Sequence, residues 1–424
     1  MNDQVLESST NKEGKLRRMI NSLGPGVMMA TAAVGGSHLV ASTKAGAMFG
    51  WQLVGLILLV NLLKYPFFRA GVQYTMGTGK SLIQGYSEMG KGYLWLFTVL
   101  SFFSAMVNTS ALLLFSASLL SYFVPFDFSL SILSGFVAIV CLVILLKGHF
   151  KTLDALSKII MATLVIATVS AVIMAAKQVA PAVEIFEPVS VWTMASVGFI
   201  VITMGWMPAP IEISSFTSLW LKRQSEQQVV TNKSALFDFN VGYFGSAILA
   251  IVFLALGALV FYGTDIEFKS SGIAFSHQLV SMYSSTIGEW SRYLIAIIAF
   301  FCIFGSTITV IDGYSRIMLE STCELSKKDL TPEKHFNGWV LFFSVIAVVI
   351  VSFFVSSLMA MLNFAMILAF MTTPIFALLN YQLLKNAPLP DDLKLGRKMK
   401  VLSIVGLTYL FSFLALFIYW KWMM

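Results

Sequence analysis

Charged residues are scarce in this chain: Asp, Glu, Lys and Arg make up 12% of its 424 residues, against about a quarter in soluble domains. Hydrophobic residues account for 58%, and the mean hydropathy is +0.83. So few charges cannot cover the surface of a water-soluble protein of this length. Since a membrane-crossing helix needs roughly 20 apolar residues, the sequence predicts a multi-pass membrane protein with little room for a soluble domain.

Cysteine and histidine are also rare, which argues against several classes of protein. The three cysteines (Cys141, Cys302 and Cys323) lie in or beside apolar runs at unrelated spacings, and this predicts neither a disulfide framework nor a metal cluster. The four His residues are scattered and provide no catalytic constellation. We therefore expect no enzyme activity and no cofactor. The net charge of +7 is spread between apolar segments and predicts no nucleic-acid partner.

Eleven apolar runs are long enough to cross a lipid bilayer, and we number them spans 1 to 11. They cover residues 24–45, 48–70, 93–124, 129–147, 152–176, 190–221, 236–262, 290–320, 338–356, 358–384 and 400–422. Basic residues mark the cytoplasmic side. When the connections alternate between the two sides, one side receives only five of the 28 Lys and Arg residues. This bias predicts a cytoplasmic N-terminus and an external C-terminus in a bacterial inner membrane, with Lys64 and Arg69 ending span 2 at the inner surface.

Two spans contain residues that interrupt a helix near the middle of the membrane. Span 1 carries the pair Gly35-Gly36, and span 6 carries Pro208 and Pro210. Glycine pairs and closely spaced prolines disfavour a continuous helix. Breaks in spans 1 and 6 occupy corresponding places if spans 1 to 5 and spans 6 to 10 are two repeats. Five is an odd number, so the second repeat is inverted relative to the first.

This pattern divides the chain into four parts: a cytoplasmic tail (1–23), a first repeat (24–176), an inverted second repeat (190–384), and a cytoplasmic loop with span 11 (385–424). Unwound backbone inside a membrane is tolerated only where protein or a water-filled cavity satisfies it, so the breaks predict a central substrate site. The alternative is that glycine and proline only kink these helices. The residues expected to form the site are Gly35, Gly36, Ser37, His38, Met204, Met207, Pro208 and Ala209.

Several sequence motifs match one family of transporters. They are Gly24-Pro25, then Ala45-Gly46-Ala47 with Phe49-Gly50, Met207-Pro208 in span 6, and Gly305-Ser306-Thr307-Ile308-Thr309 followed by Gly313 and Met318-Leu319-Glu320 in span 8. In these motifs the chain resembles the natural resistance-associated macrophage protein (NRAMP) family of metal transporters, in the amino acid, polyamine and organocation (APC) superfamily. The resemblance covers most of the chain. It implies an all-α, leucine-transporter-type fold with five plus five inverted spans.

The chain departs from that family at the residues that bind the metal. The family's Asp-Pro-Gly-Asn motif in span 1 corresponds here to residues 35–38, so its metal-binding Asp is missing. The family's Met ligand is matched by Met207, but its His is replaced by Ala209. The position that lends a backbone carbonyl in the family is Met204. Only the soft ligand is kept, and a divalent cation usually needs a carboxylate to offset its charge.

The altered site suggests a different substrate. The second halves of spans 1 and 6 should point their unpaired amides and positive dipole ends at the cavity, which favours an anion. We expect a secondary transporter for a small anionic or zwitterionic solute, such as bicarbonate, a carboxylate or an amino acid, coupled to protons or sodium. The alternatives are a proton-coupled divalent metal transporter with an altered site, and a membrane receptor that does not transport. The oligomeric state is not predicted.

Other polar residues in the spans have more than one interpretation each. His38 either ligates a soft metal together with Met207, or binds a proton or substrate, or is a structural residue. Glu212 either caps the second half of span 6 or binds the coupling ion. The hydroxyls of Ser306, Thr307 and Thr309 either hold sodium or pack between helices. Asp312, one turn before Arg316, is either a paired structural carboxylate or a coupling site.

Overall fold

The computed structural model describes residues 23–124, 126, 128–147, 150–177, 190–264, 268–327 and 332–423. Of the predicted cytoplasmic tail, residues 1–22 lie outside the described residues. The helices are α1 (Pro25–Ala33), α2 (Thr43–Phe49), α3 (Val54–Thr78), α4 (Leu82–Met89), α5 (Lys91–Leu120), α6 (Leu130–Lys147), α7 (Phe150–Ala175), α8 (Val197–Gly205), α9 (Ile213–Gln227), α10 (Asn232–Phe261), α11 (Gly272–Ile287), α12 (Arg292–Ser326), α13 (Pro332–Phe354), α14 (Leu358–Asn386) and α15 (Arg397–Met423).

Nine helices within the described part of the chain are long and apolar enough to cross a membrane, and they correspond to spans 2 to 5 and 7 to 11. Span 1 consists of α1, a π-helical segment (Ser37–Ser42) and α2, whereas span 6 consists of α8 and α9. The predicted all-α fold with eleven spans and breaks in spans 1 and 6 is therefore confirmed. The residue limits of the two repeats stay a prediction.

Span 2 is the span whose limits differ most from the prediction. Its helix α3 begins and ends later than the predicted range 48–70. The polar residues beyond position 70 continue the helix because they are buried and bonded: Gln73 donates to the carbonyl of Leu393 at 2.7 Å, and Thr75 bonds Ser218 at 2.7 Å. The helix ends at Gly79, whose φ of 72° is the left-handed conformation typical of a C-terminal cap.

Two helices between the spans were not predicted. Helix α4 follows span 2 and begins with a capping box, in which Ser81 and Gln84 each accept a hydrogen bond from the other's backbone amide. Helix α11 lies between spans 7 and 8 and buries Phe275 and Leu279 against the bundle. Neither helix has the long apolar run by which the spans were recognised, so the hydropathy pattern alone does not reveal them.

The spans divide into a buried centre and a periphery that faces lipid. In the most apolar window of span 8, 72% of the residues are buried, compared with 22% in span 11. Both broken spans belong to the centre: α1 contacts α12 and α10, and α8 contacts α14. The breaks therefore lie where other protein elements surround them, as non-helical backbone inside a membrane requires.

The predicted orientation can be tested by cysteine labelling of intact cells. Val229, 97% exposed in the connection between α9 and α10, is expected inside, and Trp290, 74% exposed before α12, is expected outside. In a Cys323→Ser background, we expect Trp290→Cys to react with a membrane-impermeant maleimide and Val229→Cys to react only with a permeant one. The native Cys141 and Cys302 are buried and should not react with either maleimide. The reverse labelling pattern would contradict the cytoplasmic N-terminus.

Candidate functional site

The break in span 1 lies at Val34 and Gly35. Helix α1 ends at Ala33, and Val34 has a ψ of 68°, outside the helical range. The chain then re-enters a helix through the π-helical segment that begins at Ser37. The predicted interruption is present, and π-helical turns occur frequently at functional sites.

The break in span 6 is longer. Helix α8 ends at Gly205, residues 206–212 are not helical, and α9 begins at Ile213. The Met207–Pro208 peptide bond in this segment is cis. The predicted interruption at the two prolines is therefore also present.

Glycine allows the two breaks and span 8 to approach closely. A Cβ atom added to Gly36 would lie 2.6 Å from the indole ring of Trp206, and one added to Gly35 would lie 2.6 Å from the hydroxyl oxygen of Ser306. Real Cβ atoms do not come this close to other heavy atoms. Only glycine at position 36 thus lets the Trp206 ring lie directly on the break in span 1.

A small cavity of about 20 Å³ lies between the two breaks. This volume holds about one water molecule, so the site is closed in this conformation. Three of the eight predicted site residues, Gly36, Ser37 and Ala209, line the cavity, and the lining also includes Asn108, Trp206 and Tyr314. The other five predicted residues, Gly35, His38, Met204, Met207 and Pro208, are not in the lining.

The cavity and its immediate surroundings contain buried polar atoms without a partner among the described residues. They are the indole nitrogen Nε1 of Trp206, the amide oxygen Oδ1 of Asn108 and the carboxylate oxygen Oε2 of Glu212. The Nδ2 amide of Asn108 donates to the hydroxyl of Tyr314 at 2.9 Å, and that hydroxyl donates to Oε1 of Glu212 at 3.1 Å. These two hydrogen bonds fix the orientation of the Asn108 amide group. Its oxygen is left without a donor among the described residues.

The sequence predicts free amides at the start of each second half-helix, and some of the amides in these first turns are bonded. In span 6 the amides of residues 213–215 donate to the carbonyls of residues 210–212. In span 1 the amides of His38 and Leu39 donate to the carbonyl of Gly35. These tight turns satisfy the groups that a helix end normally leaves open. Free amides elsewhere at these two ends, such as those of Gly36 and Ser37, stay a prediction.

His38 is fully buried, and hydrogen bonds occupy both of its ring nitrogens. Nε2 lies 2.8 Å from the carbonyl oxygen of Ser246 in span 7, and Nδ1 lies 2.6 Å from the hydroxyl of Ser37. Because a carbonyl only accepts, Nε2 carries a hydrogen. The Ser37 hydroxyl also contacts the carbonyl of Ala33 at 2.6 Å. A metal at His38 would have to displace one of these bonds, so the soft-metal role stays an untested prediction.

The two methionines of the predicted site also face away from the cavity. The Met207 sulfur contacts the hydroxyl of Ser42 at 3.8 Å. The Met204 sulfur contacts the hydroxyl of Tyr409 in span 11 at 3.4 Å. Within the described residues, no three His, Cys, Asp or Glu side chains come together as a metal-binding group.

Lys64 lies beside the break in span 6, a position that the sequence analysis did not predict. It was expected at the inner surface, but its side chain is fully buried. Its ammonium group donates to the carbonyls of Met204 at 2.8 Å, Gly205 at 3.2 Å and Ala209 at 3.4 Å. The sequence does contain a sign that Lys64 is buried. Two apolar residues (62–63) precede it, and four apolar or aromatic residues (65–68) separate it from the next charge, Arg69.

The coupling-ion candidates are all buried but differ in their bonding. Glu212 lies at the N-cap of α9 without a side-chain capping bond, so its capping and ion-binding roles both stay predictions. Ser306 donates to the carbonyl of Thr31 in span 1 at 2.8 Å. Thr307 and Thr309 donate to carbonyls of their own helix, both at 2.8 Å. Sodium at these hydroxyls would need new oxygen partners, and that role stays a prediction.

Comparisons with known proteins identify the family. The model of the natural resistance-associated macrophage protein-like family (Nramp) matches residues 26–420. An uncharacterized protein of Pasteurella multocida is 48% identical over 403 residues, which are 94% of this chain and 92% of that protein. The divalent metal cation transporter MntH of Staphylococcus saprophyticus is 22% identical over 269 residues, 61% of this chain and 60% of that protein.

The fold agrees with this assignment. The crystal structure of the Eremococcus coleocola manganese transporter with a bound bis-isothiourea compound superimposes with a TM-score of 0.66 at 14% identity, covering 94% of this chain and 86% of that chain. The fold is thus the leucine-transporter type that the sequence motifs implied. The chain belongs to the natural resistance-associated macrophage protein-like family and is a multi-pass membrane transporter of that family.

Proposed function

We propose that this transporter carries a small anionic or zwitterionic solute through the cavity between the breaks in spans 1 and 6. Bicarbonate, a carboxylate or an amino acid fits this description. The observation that carries the proposal is the indole N–H of Trp206, buried at the cavity with the amide oxygen of Asn108. Neither atom has a hydrogen-bond partner among the residues that the structure describes.

The chemistry of these two groups selects the solute. A buried polar atom without a partner costs about 1–3 kcal/mol, and a ligand that supplies the partner recovers this free energy. The Trp206 N–H can only donate, so it needs an acceptor such as a carboxylate oxygen. The Asn108 oxygen can only accept, so it needs an O–H or N–H donor. A solute that carries both an anionic oxygen and a donor satisfies both groups, whereas a bare cation satisfies only the oxygen.

The charges around the break in span 6 also disfavour a divalent cation. The family's metal-binding Asp and His are absent from residues 35–38 and from position 209. The carbonyl of Met204, at the place of the family's carbonyl ligand, accepts from the Lys64 ammonium. A divalent ion placed there would meet a positive charge at contact distance, which is strongly unfavourable in a medium of low dielectric constant.

Transport requires the closed cavity to open to each side in turn. A volume of about 20 Å³ is smaller than any of these solutes, so the cavity has to widen during an alternating-access cycle before a solute can enter. Proton coupling is supported by the free oxygen of Glu212, which is 1% exposed. Sodium coupling is the alternative, through the hydroxyls of span 8.

A second candidate function is proton-coupled transport of a divalent metal ion. It is favoured by the similarity to the divalent metal cation transporter MntH and by the cavity volume, which suits a single ion. The Asn108 oxygen is a hard donor atom of the kind that manganese prefers. Two groups oppose this function, because the Lys64 ammonium and the Trp206 indole N–H lie where metal ligands are expected.

A flux screen in proteoliposomes distinguishes the two candidates. Uptake of radiolabelled manganese, monocarboxylates and amino acids is measured at two pH values, with and without sodium, followed by counterflow for every solute that enters. We expect saturable uptake of an organic anion or amino acid and none of manganese. Saturable manganese uptake that cadmium inhibits would refute the anion proposal, and solute binding without flux would indicate a receptor.

The Trp206→Phe variant tests the key contact. Phenylalanine keeps the ring but removes the donor, so the affinity for the solute found in the screen should fall about tenfold, which corresponds to about 1.4 kcal/mol. The measurement is the concentration dependence of uptake. Trp95→Phe is the matched control, because Trp95 is 55% exposed on the outside of the bundle. Equal affinities for Trp206→Phe and the wild type would exclude a donor role for Trp206.

A further inference from the structure

Lys64 places its side-chain nitrogen, Nζ, beside the break in span 6. The residue lies inside helix α3, and its side chain has no exposed surface. Its Nζ atom contacts three backbone carbonyl oxygens, two at the end of α8 and one in the non-helical segment, at 2.8, 3.2 and 3.4 Å. An ammonium group has three hydrogens, so three carbonyl partners complete its donor capacity.

These carbonyls form a site suited to a cation. The last carbonyls of a helix lack intrahelical partners and carry the negative end of the helix dipole. In a membrane they need a donor or a cation, because no water is present to satisfy them. Here the chain supplies that cation from a neighbouring span.

Burying a lysine in this way costs desolvation free energy, and packing alone does not explain why a lysine is present. A methionine would fill a similar volume without the desolvation cost of a charge. Ionisable residues inside a membrane are functional by default. The contacts of Lys64 indicate two functions. Its Nζ atom holds the two ends of the break together, and it prevents ions from solution from binding to the same carbonyls.

We propose that the Lys64 ammonium is a tethered cation that permanently fills the carbonyl site of span 6, so that the broken helix is held without a bound ion and the site rejects free cations. Lys64 is thus a positioning and specificity-determining residue. This inference deepens the proposed function and rests on its argument that the carbonyls of span 6 do not hold a divalent cation.

The experiment is rescue of a lysine deletion by free ammonium ions. Lys64→Ala leaves the carbonyls bare next to a space of the size of the lost side chain. We measure the thermal midpoint of unfolding of the purified full-length protein in detergent, with ammonium, methylammonium, sodium or tetramethylammonium chloride at equal ionic strength. Lys44→Ala is the matched control, because Lys44 is also partly buried but lies over the ring of Phe268, away from span 6.

We expect Lys64→Ala to unfold at a lower temperature than the wild type and to regain about 2–4 °C in ammonium or methylammonium relative to tetramethylammonium. The wild type and Lys44→Ala should not distinguish among the four salts. The proposal is overturned if Lys64→Ala is as stable as the wild type, or if no small cation restores it selectively.

The proposal can still be tested if Lys64→Ala does not fold. Lys64→Met keeps most of the side-chain volume and serves as the second variant, and both variants are also solubilised in each salt and examined by size-exclusion chromatography. If both aggregate equally in every salt, the carbonyls do not accept a free cation and the proposal is wrong. No solute is present in any of these measurements, so their outcome is distinguished from that of the flux screen, which alone tests the proposed anion transport.

Discussion

Replacing Asp312 with asparagine is expected to lower the free energy of unfolding by about 3–5 kcal/mol. The carboxylate accepts two hydrogen bonds from the Arg316 guanidinium, at 2.7 and 2.8 Å, and a third from the indole N–H of Trp220 at 2.8 Å. The Asp312 side chain is 3% exposed and that of Arg316 is 15% exposed. The variant leaves a guanidinium without its counter-charge in a nearly closed environment, which is the costly way to break an ion pair.

The matched control is Asp391→Asn. Asp391 pairs with Lys394 at 2.7 Å, but both side chains are largely exposed, and such pairs contribute little to stability. The Lys394 ammonium holds the pKa of the Asp391 carboxyl below its usual value, so the pair is real, yet its loss should not change the unfolding transition measurably. Unfolding of each variant in mixed micelles checks both expectations. Equal losses for the two variants would contradict the argument from burial.

The same variant decides between the two roles that the sequence left open for Asp312. A structural carboxylate predicts that transport falls only as far as the folded fraction falls. A coupling site predicts a stable protein without coupled flux. The three hydrogen bonds in the structure favour the structural role, as the spacing of Asp312 and Arg316 by one helical turn already indicated.

Most of the fold could be predicted because membrane spans and their breaks are encoded locally. Length and hydropathy define a span, and a glycine pair or two prolines at mid-membrane define a break. The predicted interruptions at Gly35 and at Pro208 are both present. Helix α11 (Gly272–Ile287) was missed because a short helix between spans has no such local signature.

The site was only partly predictable, because its partners come from distant parts of the chain. Lys64 was assigned to the surface from its place near the end of an apolar run, whereas the carbonyls that bind it are 140 to 145 residues away. Asn108 and Tyr314 line the cavity from spans 3 and 8, and no motif marks them. His38 was placed correctly along span 1, but the direction of its ring depends on span 7.

Replacing Gly257 with alanine is expected to destabilise the protein by about 1–3 kcal/mol or more, through a clash between backbones. A Cβ atom at position 257 in span 7 would lie 2.1 Å from the carbonyl oxygen of Thr43 in span 1. The reciprocal contact is as close, since a Cβ atom at Gly46 would lie 1.9 Å from the carbonyl oxygen of Leu254. A side chain could rotate away, but a helical carbonyl cannot, so the two spans would have to separate.

Gly245 provides a control on the same helix. A Cβ atom at this position has no other atom within 4 Å, so Gly245→Ala should be neutral or stabilising by up to about 1 kcal/mol, the difference in helix propensity. The temperature of thermal unfolding should therefore fall for Gly257→Ala, whereas for Gly245→Ala it should stay the same or rise. Separation of spans 1 and 7 would also weaken the bond between His38 and Ser246 that joins them beside the break. A Gly257→Ala protein as stable as the wild type would mean that spans 1 and 7 do not pack this closely.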